Sequence, residues 1–204
     1  MCGIAGIFNL YEDRDISLDT LKRMAAIMRH RGPDGTGFYR DKRAGLAHTR
    51  LSIIDLQGGR QPIHNEDKTV WITFNGEIFN YIELRKILED KGHRFYTRTD
   101  TEVIIHMYEA YGTECLDHFN GQFAFAIWDT NKQALFIARD RVGISPLFYT
   151  FISGSMLFAS EIKALFIDNR VKREIDVYAL DQIFTFWVTI PPRSAFRDIK
   201  ELPA

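Results

Sequence analysis

The first six residues constrain the fold of this chain more than any other segment. The cysteine at position 2 is followed by two glycines and by the apolar residues Ile4, Ala5 and Ile7. This pattern predicts a short buried strand over residues 3–9, with glycines that allow another group to approach the backbone closely. Buried cysteines usually lie inside apolar strands or helices as small hydrophobic side chains. A thiol at the very start of a strand is therefore unusual.

Removal of Met1 would give Cys2 both a thiol and a free α-amine. The reference pKa values are about 7.7–8.0 for the amine and about 8.5 for the thiol, so the amine can act as a general base at neutral pH. An N-terminal amine is a known partner base for a weak nucleophile. A cysteine at position 2 does not by itself establish catalysis, and the remaining motifs must decide.

Composition indicates a globular chain of ordinary type. The 204 residues are 46% hydrophobic and 26% charged, with a net charge of −1. A nearly neutral chain gives no electrostatic reason to expect nucleic acid or an anionic membrane as a partner. The N-terminus lacks the basic and apolar regions of a signal peptide, and no apolar run has the length of a membrane span. We therefore expect a cytoplasmic protein.

The cysteines and histidines lack the sequence spacing of metal sites. The two cysteines, Cys2 and Cys115, are not in a CxxC arrangement, and the six histidines show no HExxH spacing. A disulfide between the cysteines would consume the proposed nucleophile. We predict that Cys115 is a structural thiol and that the chain has no metal site.

The rest of the chain alternates between helical and strand patterns. Ser17 is a candidate N-cap, followed by apolar residues at helical spacing. The segment 123–128 is apolar on both faces, as in a strand covered on both sides. Predicted strands lie at about residues 3–9, 37–40, 44–54, 69–74, 93–98, 123–128, 134–138, 147–150 and 156–159. Predicted helices follow Ser17, Glu77 and Thr99 and span about 160–165 and 176–186.

Four polar features outside the N-terminus allow two interpretations each. Arg50, in a half-apolar strand, either faces solvent or grips an anion, because a buried guanidinium needs a partner. Asn75-Gly76 is either a simple turn or a pair of donors for an oxyanion. Asp100 either helps to cap a helix or holds a substrate ammonium. The charged loop Arg29–Gly35 is either an ordinary turn or a ligand contact.

Six motifs in one order resemble a known family. Together they are similar to the N-terminal glutaminase domain of glutamine-hydrolysing asparagine synthetases, a class II glutamine amidotransferase. The motifs are Met1–Gly6, Arg29–Gly35, His48–Asp55, Phe74–Asn80, Thr99–Glu102 and Arg139–Gly143. The resemblance implies an α+β fold, the αββα sandwich of N-terminal-nucleophile hydrolases, with two mainly antiparallel sheets between helical layers.

The resemblance also implies a role for each site residue. Cys2 would attack the side-chain amide of glutamine, and Asn75 with Gly76 would form the oxyanion hole. Arg50 would hold the substrate α-carboxylate, and Asp100 with Glu77 its α-ammonium. The side chains of Leu51 and Ile53 would shape the pocket.

The same resemblance implies two parts of unequal length. Residues 1–188 would be the glutaminase domain, and residues 189–204 a linker to a synthetase domain that this chain lacks. The glutaminase domain needs no cofactor, whereas ATP and Mg²⁺ would belong to the synthetase domain, which uses the ammonia to make asparagine from aspartate. The family also suggests a homodimer. Two alternatives remain open: an amidotransferase domain for another acceptor, and a non-catalytic glutamine-binding regulatory module.

Overall fold

The computed structural model describes all residues from Met1 to Ala204, in ten strands and five α-helices. The strands are β1 Gly3–Asn9, β2 Gly35–Arg40, β3 Ala44–Arg50, β4 Ile63–His64, β5 Val70–Ile78, β6 Gly121–Asp129, β7 Ala134–Arg139, β8 Phe148–Ile152, β9 Ser155–Ala159 and β10 Lys200–Glu201. The helices are α1 Leu18–Ile27, α2 Tyr81–Asp90, α3 Asp100–Tyr111, α4 Ile162–Leu165 and α5 Val177–Phe186, and a 3₁₀ helix spans Gly112–His118.

The strands form two antiparallel sheets that pack face to face. The six-stranded sheet has the order β10-β8-β9-β1-β3-β2, and the four-stranded sheet the order β4-β5-β6-β7. Residues from both sheets, including Ile4, Leu46 and Trp128, form one core cluster between them. The N-terminal strand β1 is central in its sheet, between β3 and β9, which buries the backbone that follows Cys2.

Helices cover the outer face of each sheet. Helix α1 begins at the predicted N-cap, where the Ser17 hydroxyl accepts a hydrogen bond from the Thr20 N–H at 3.2 Å. Its apolar side packs on the six-stranded sheet, and α2 and α3 pack on the four-stranded sheet. The resulting layers are helix, sheet, sheet and helix, so the expected αββα sandwich is confirmed.

The strand β6 shows why its sequence is apolar on both faces. Ala124 and Trp128 point toward the other sheet, whereas Phe123 and Phe125 point toward the helices. Cys115 is a fully buried free thiol in the same helix-side core. No helix of this fold combines the length and apolar character that a membrane crossing requires.

Three predicted elements differ from the structure. The strand expected over residues 44–54 ends at Arg50, and the Arg50 side chain donates to backbone carbonyls of the loop that follows. The strand expected to stop at Phe74 continues to Ile78. No strand forms over 93–98, where the buried Glu102 carboxylate instead accepts the Tyr96 and Thr97 N–H groups at 2.8 and 2.7 Å.

The segment 189–204, interpreted as a linker, packs against the sandwich. Strand β10 extends the six-stranded sheet by pairing with β8. Ile199 is 1% exposed and Ser194 also 1%, and the Ser194 hydroxyl donates to the Ile199 carbonyl at 2.7 Å. These contacts come from a non-periodic segment, and sequence periodicity could not reveal them. Whether a synthetase domain follows stays a prediction.

Candidate active site

The Cys2 thiol lies just before β1 and is held by backbone groups of the β3 strand end. The Leu51 N–H donates to Sγ at 3.3 Å, and the thiol reaches the Leu51 carbonyl at 3.6 Å. Arg31 Nε donates to the Cys2 carbonyl oxygen at 2.8 Å, and Glu161 lies 3.3 Å from Arg31 Nη1. The charged loop of residues 29–35 therefore holds the backbone of Cys2 through Arg31.

The surroundings of Cys2 favour a protonated thiol. Burial raises the pKa of the Cys2 thiol above its usual range, against the lowering effect of the Leu51 N–H, the N-terminal charge and Arg50. A protonated thiol needs a base before it can attack. Met1, the residue that covers the Cys2 amine, is 53% exposed at the pocket mouth.

Strand β5 directs one backbone N–H into the site. The Phe74 N–H donates to Gln61 Oε1 at 2.7 Å, and the Ile78 N–H to Asp100 Oδ2 at 3.0 Å. Both donors point away from the neighbouring strand β6. Because N–H directions alternate along a strand, the Gly76 N–H points the same way between them. It is a free donor at the pocket wall.

Position 76 requires glycine. Its φ of +153° lies in a region that side chains rarely adopt, and a Cβ would collide with the Gln122 carbonyl oxygen. Gly76 pairs with Phe123 of β6. The Phe123 N–H donates to the Asp140 carboxylate, and the Phe123 carbonyl accepts the Asp140 N–H. The Gly76 backbone therefore has no hydrogen-bonding partner in β6.

The Asn75 side chain is buried without a partner. It is 0% exposed, and neither amide atom, Oδ1 or Nδ2, has a hydrogen-bond partner within the protein. Burying an amide without a hydrogen bond costs about 1–3 kcal/mol by protein mutational data. An unpaired amide beside an unpaired N–H is a suitable environment for a developing oxyanion.

Arg50 supplies a buried positive charge without a carboxylate partner. Its residue is 8% exposed, and none of the ion pairs in the structure includes it. The guanidinium donates to the carbonyls of Ile54, Asp55 and Leu56 at 3.3, 2.5 and 3.4 Å. These contacts fix the guanidinium and leave its charge available to an anion.

Asp100 supplies the opposite charge at the first turn of α3. Burial raises the pKa of Asp100 to about 6, with a further contribution from Glu77 and opposition from the Ile78 and Thr101 N–H groups. Its carboxylate is largely ionised at neutral pH and has no cationic partner among the ion pairs. A ligand ammonium would provide one.

One pocket brings these groups together. All eight predicted residues line it, although they come from the N-terminus, the end of β3, β5 and α3. The eight residues are Cys2, Arg50, Leu51, Ile53, Asn75, Gly76, Glu77 and Asp100. Ile53 lines the mouth and is 59% exposed, whereas Leu51 is half-buried. The individual roles of these residues stay predictions.

Sequence reasoning missed Gln61 in this pocket. Its side chain is 9% exposed, donates to Thr101 Oγ1 at 3.2 Å and accepts the Phe74 N–H. Gln61 therefore ties β5 to α3 and sets the distance between Asn75 and Asp100. It lies in a loop without periodicity, so no sequence signal distinguished it from other polar loop residues.

Comparison with known proteins identifies the class and then the family. The fold is shared with two solved structures. One is the glutamine phosphoribosylpyrophosphate amidotransferase of B. subtilis, with a TM-score of 0.67 and 21% identity over 86% of this chain and 45% of that one. The other is an allosteric regulatory enzyme of purine biosynthesis, with a TM-score of 0.67, 22% identity and coverage of 81% and 43%. The chain therefore shares the αββα fold of these two enzymes.

The chain belongs to the glutamine amidotransferase domain family, which matches residues 1–204. Its curated relatives include two asparagine synthetases (glutamine-hydrolysing) of Bacillus subtilis. Synthetase 1 is 44% identical over 99% of this chain, and synthetase 3 is 40% identical over 99%. The chain spans about a third of their length, 32% and 33%. The resemblance inferred from the six motifs is confirmed.

Proposed function

We propose that this chain hydrolyses the side-chain amide of glutamine with Cys2 as an N-terminal nucleophile. The observation that carries the proposal is that one pocket holds two groups without a hydrogen-bond partner, the Asn75 amide and the Gly76 N–H. It also holds two charges without an opposite charge, the Arg50 guanidinium and the Asp100 carboxylate. Glutamine is a zwitterion with a neutral amide, and it complements each of these groups.

Substrate binding rests on the two fixed charges. The Arg50 guanidinium would pair with the α-carboxylate, and the Asp100 carboxylate with the α-ammonium, with Glu77 nearby. The side chains of Leu51 and Ile53 line the same pocket. Because both ends of the amino acid are held, the amide carbon is presented to Cys2 in one orientation.

The reaction uses the Cys2 amine that Met1 removal would release. The amine accepts the thiol proton as Sγ bonds to the amide carbon, and the oxyanion accepts hydrogen bonds from Asn75 Nδ2 and the Gly76 N–H. The carbon–nitrogen bond then breaks, and the Cys2 amine returns the proton to the leaving nitrogen. This step releases ammonia and leaves a γ-glutamyl thioester. Water then attacks the thioester, which releases glutamate and restores the thiol.

The ammonia is proposed to serve asparagine synthesis from aspartate in a synthetase domain that binds ATP and Mg²⁺. The names and length of the relatives support this acceptor. Exposed apolar side chains on α5 and at its C-terminal end support a docked domain: Tyr178, Phe184 and Trp187 are 69%, 79% and 92% exposed, and monomeric proteins rarely expose large apolar patches without a partner. The homodimer and the cytoplasmic location stay predictions.

The test combines intact mass with glutamate release from glutamine, on wild type and on Cys2→Ala. Loss of Met1, with hydrolysis lowered at least about 10⁴-fold in Cys2→Ala, would support the proposal. Cys115→Ala is the matched control, because it removes the other thiol outside the pocket, and it should retain activity.

Two results would contradict the proposal. A processed wild type that binds glutamine without releasing glutamate would favour the non-catalytic binding module. Equal hydrolysis by Cys2→Ala and wild type would exclude the thiol as nucleophile. If Met1 is retained, the assay is repeated on chains processed by a methionine aminopeptidase.

A further inference from the structure

Four potential ligands meet on the helical layer outside the proposed active site. Glu66 follows β4, His93 follows α2, and His106 and Glu109 lie on α3. One ligand atom from each side chain lies within 4.8 Å of all the others. His106 is six residues beyond Asp100, or about 9 Å along the helix axis.

The distances fit a tetrahedral ion. His106 Nδ1 lies 2.8 Å from Glu109 Oε2 and 3.7 Å from Glu66 Oε2. His93 Nδ1 lies 3.7 Å from Glu109 Oε2 and 3.9 Å from Glu66 Oε1. Ligands bonded to zinc at about 2.0–2.2 Å are separated by roughly 3.3–3.5 Å in a tetrahedron. Each of these four distances therefore lies within about 0.7 Å of the tetrahedral separation.

Neighbouring groups already hold the two carboxylates of the cluster by hydrogen bonds. Asn65 Nδ2 donates to Glu109 Oε1 at 2.7 Å, and the Arg94 N–H donates to Glu66 Oε1 at 3.0 Å. These bonds orient the two carboxylates. His106 Nε2 is buried without a hydrogen-bond partner and lies 3.7 Å from Glu102 Oε1. Histidine ligands of metals usually direct their other ring nitrogen to such a carboxylate.

The donor set indicates which ion would bind. Two carboxylates and two neutral imidazoles carry a charge of −2, which a divalent cation neutralises. Imidazole ligands favour zinc and related transition metals, whereas Mg²⁺ and Ca²⁺ prefer oxygen ligands. The Glu66 and His93 side chains are 40% and 20% exposed, so an ion can enter from solvent.

We propose that Glu66, His93, His106 and Glu109 bind one Zn²⁺ ion. Four protein ligands fill a tetrahedral shell, which is typical of a structural site. The ion would cross-link helix α3 to the segments that follow β4 and α2. This site is independent of glutamine hydrolysis, and the histidine spacing in the sequence does not resemble a metal motif.

The test uses the full chain with Cys2→Ala, because thiolates are strong zinc ligands and the Cys2 thiol would compete with the cluster. We expect calorimetric titration with Zn²⁺ to give one site per chain, and thermal unfolding to shift to higher temperature with added Zn²⁺. Glu66→Gln and His93→Gln should each weaken binding at least tenfold. Both side chains are partly exposed, so these variants should fold. Co²⁺ should give the intense visible absorption of a tetrahedral complex.

His118→Gln is the matched control, since His118 is an exposed histidine outside the cluster, and it should bind Zn²⁺ as tightly as the parent chain. Absence of one-to-one binding would overturn the proposal, and the cluster would then be an ion-paired network without a metal. Equal affinity in the Glu66→Gln, His93→Gln and parent chains would also overturn it, because the ion would then bind elsewhere.

Discussion

Two buried polar regions of this protein, both within recognisable motifs, differ in whether their groups have partners. In the pocket, Asn75 has no hydrogen-bond partner and Asp100 has no cation. In the Arg139–Gly143 loop, every oxygen of Asp140 is used. Its carboxylate accepts the Phe123, Val142, Ile144 and Ser145 N–H groups at 2.9–3.2 Å.

The two aspartates show the consequence for charge. Both are buried, yet burial raises the pKa of Asp100 to about 6, whereas the four N–H donors outweigh burial and lower the pKa of Asp140 below its usual range. Saturated hydrogen bonding makes Asp140 part of the structure. Asp100 has no cationic partner within the chain, so its carboxylate is complementary to a cationic group of a ligand.

Arg50 and Arg139 show the same contrast. Arg139 pairs with Glu201 at 2.7 Å and donates to the Leu202 carbonyl at 2.8 Å, which anchors the C-terminal segment. Arg50 donates only to loop carbonyls. We therefore interpret the pocket as a binding site, because the Arg50 and Asp100 charges lack an opposite charge. We interpret the Arg139–Gly143 loop as a structural clamp, because the Arg139 charge and the Asp140 carboxylate have partners.

The largest effect is expected at the unpaired amide. Asn75→Ala should lower kcat for glutamine hydrolysis about 100- to 1,000-fold, equivalent to about 3–4 kcal/mol of barrier, because an oxyanion donor is lost. The free energy of unfolding should stay the same or rise, since an unsatisfied buried amide is removed. Steady-state kinetics and denaturant unfolding measure the two quantities. A destabilised variant with normal kcat would reverse the comparison.

Asp140→Ala should behave in the opposite way. It leaves several N–H donors unsatisfied, two of them on the buried residues Phe123 and Ser145. We expect a loss of about 2–4 kcal/mol in the free energy of unfolding. The kcat per folded molecule should change far less than in Asn75→Ala. A stability equal to that of wild type would show that water replaces the carboxylate.

Asp100→Asn should weaken glutamine binding and raise the free energy of unfolding. A carboxyl with a pKa of about 6 in the folded state, against the ordinary 3.8, is harder to ionise when folded. Ionisation of Asp100 therefore lowers the free energy of unfolding above about pH 6. It has no effect below pH 3.8, where the carboxyl is protonated in both the folded and the unfolded state. The variant should be more stable by up to about 3 kcal/mol at neutral pH, with the gain vanishing in acid.

The same substitution should change the pH profile of activity. In wild type, kcat/KM for glutamine should fall as the pH drops below about 6, because protonated Asp100 cannot pair with the α-ammonium. Asp100→Asn should have a low kcat/KM without that inflection. An unchanged inflection in the variant would assign it to another group.

The smallest effect is expected at Arg141, which lies next to Asp140 in the same motif. Its guanidinium pairs with Asp117 at 3.3 Å, and the two side chains are 69% and 79% exposed. Exposed ion pairs contribute little, so Arg141→Gln should change the free energy of unfolding by less than about 0.5 kcal/mol. Equilibrium unfolding beside Asp140→Ala checks this. A change of several kcal/mol would mean that the whole loop, and not Asp140, is the clamp.

Sequence reasoning was most successful where one short segment carries the whole signal. The apolar pattern of residues 3–9 and the two-sided apolar pattern of 123–128 predicted β1 and β6, and Ser17 predicted the start of α1. It was wrong at 93–98, where Glu102 holds an extended segment without strand pairing. It also could not foresee that Gln61 joins β5 to α3, because both contacts are distant along the chain.

The sequence by itself determined the residue types and the local rules. It placed a thiol before a strand, an Asn-Gly pair after an apolar segment, an arginine in a half-apolar strand, and two aspartates in short polar motifs. Only the tertiary structure decided which of these groups are paired. Cys2 meets Leu51 across 49 residues, and Arg139 meets Glu201 across 62. Hydrogen-bond satisfaction depends on such distant partners, so the difference between binding site and clamp appears only after folding.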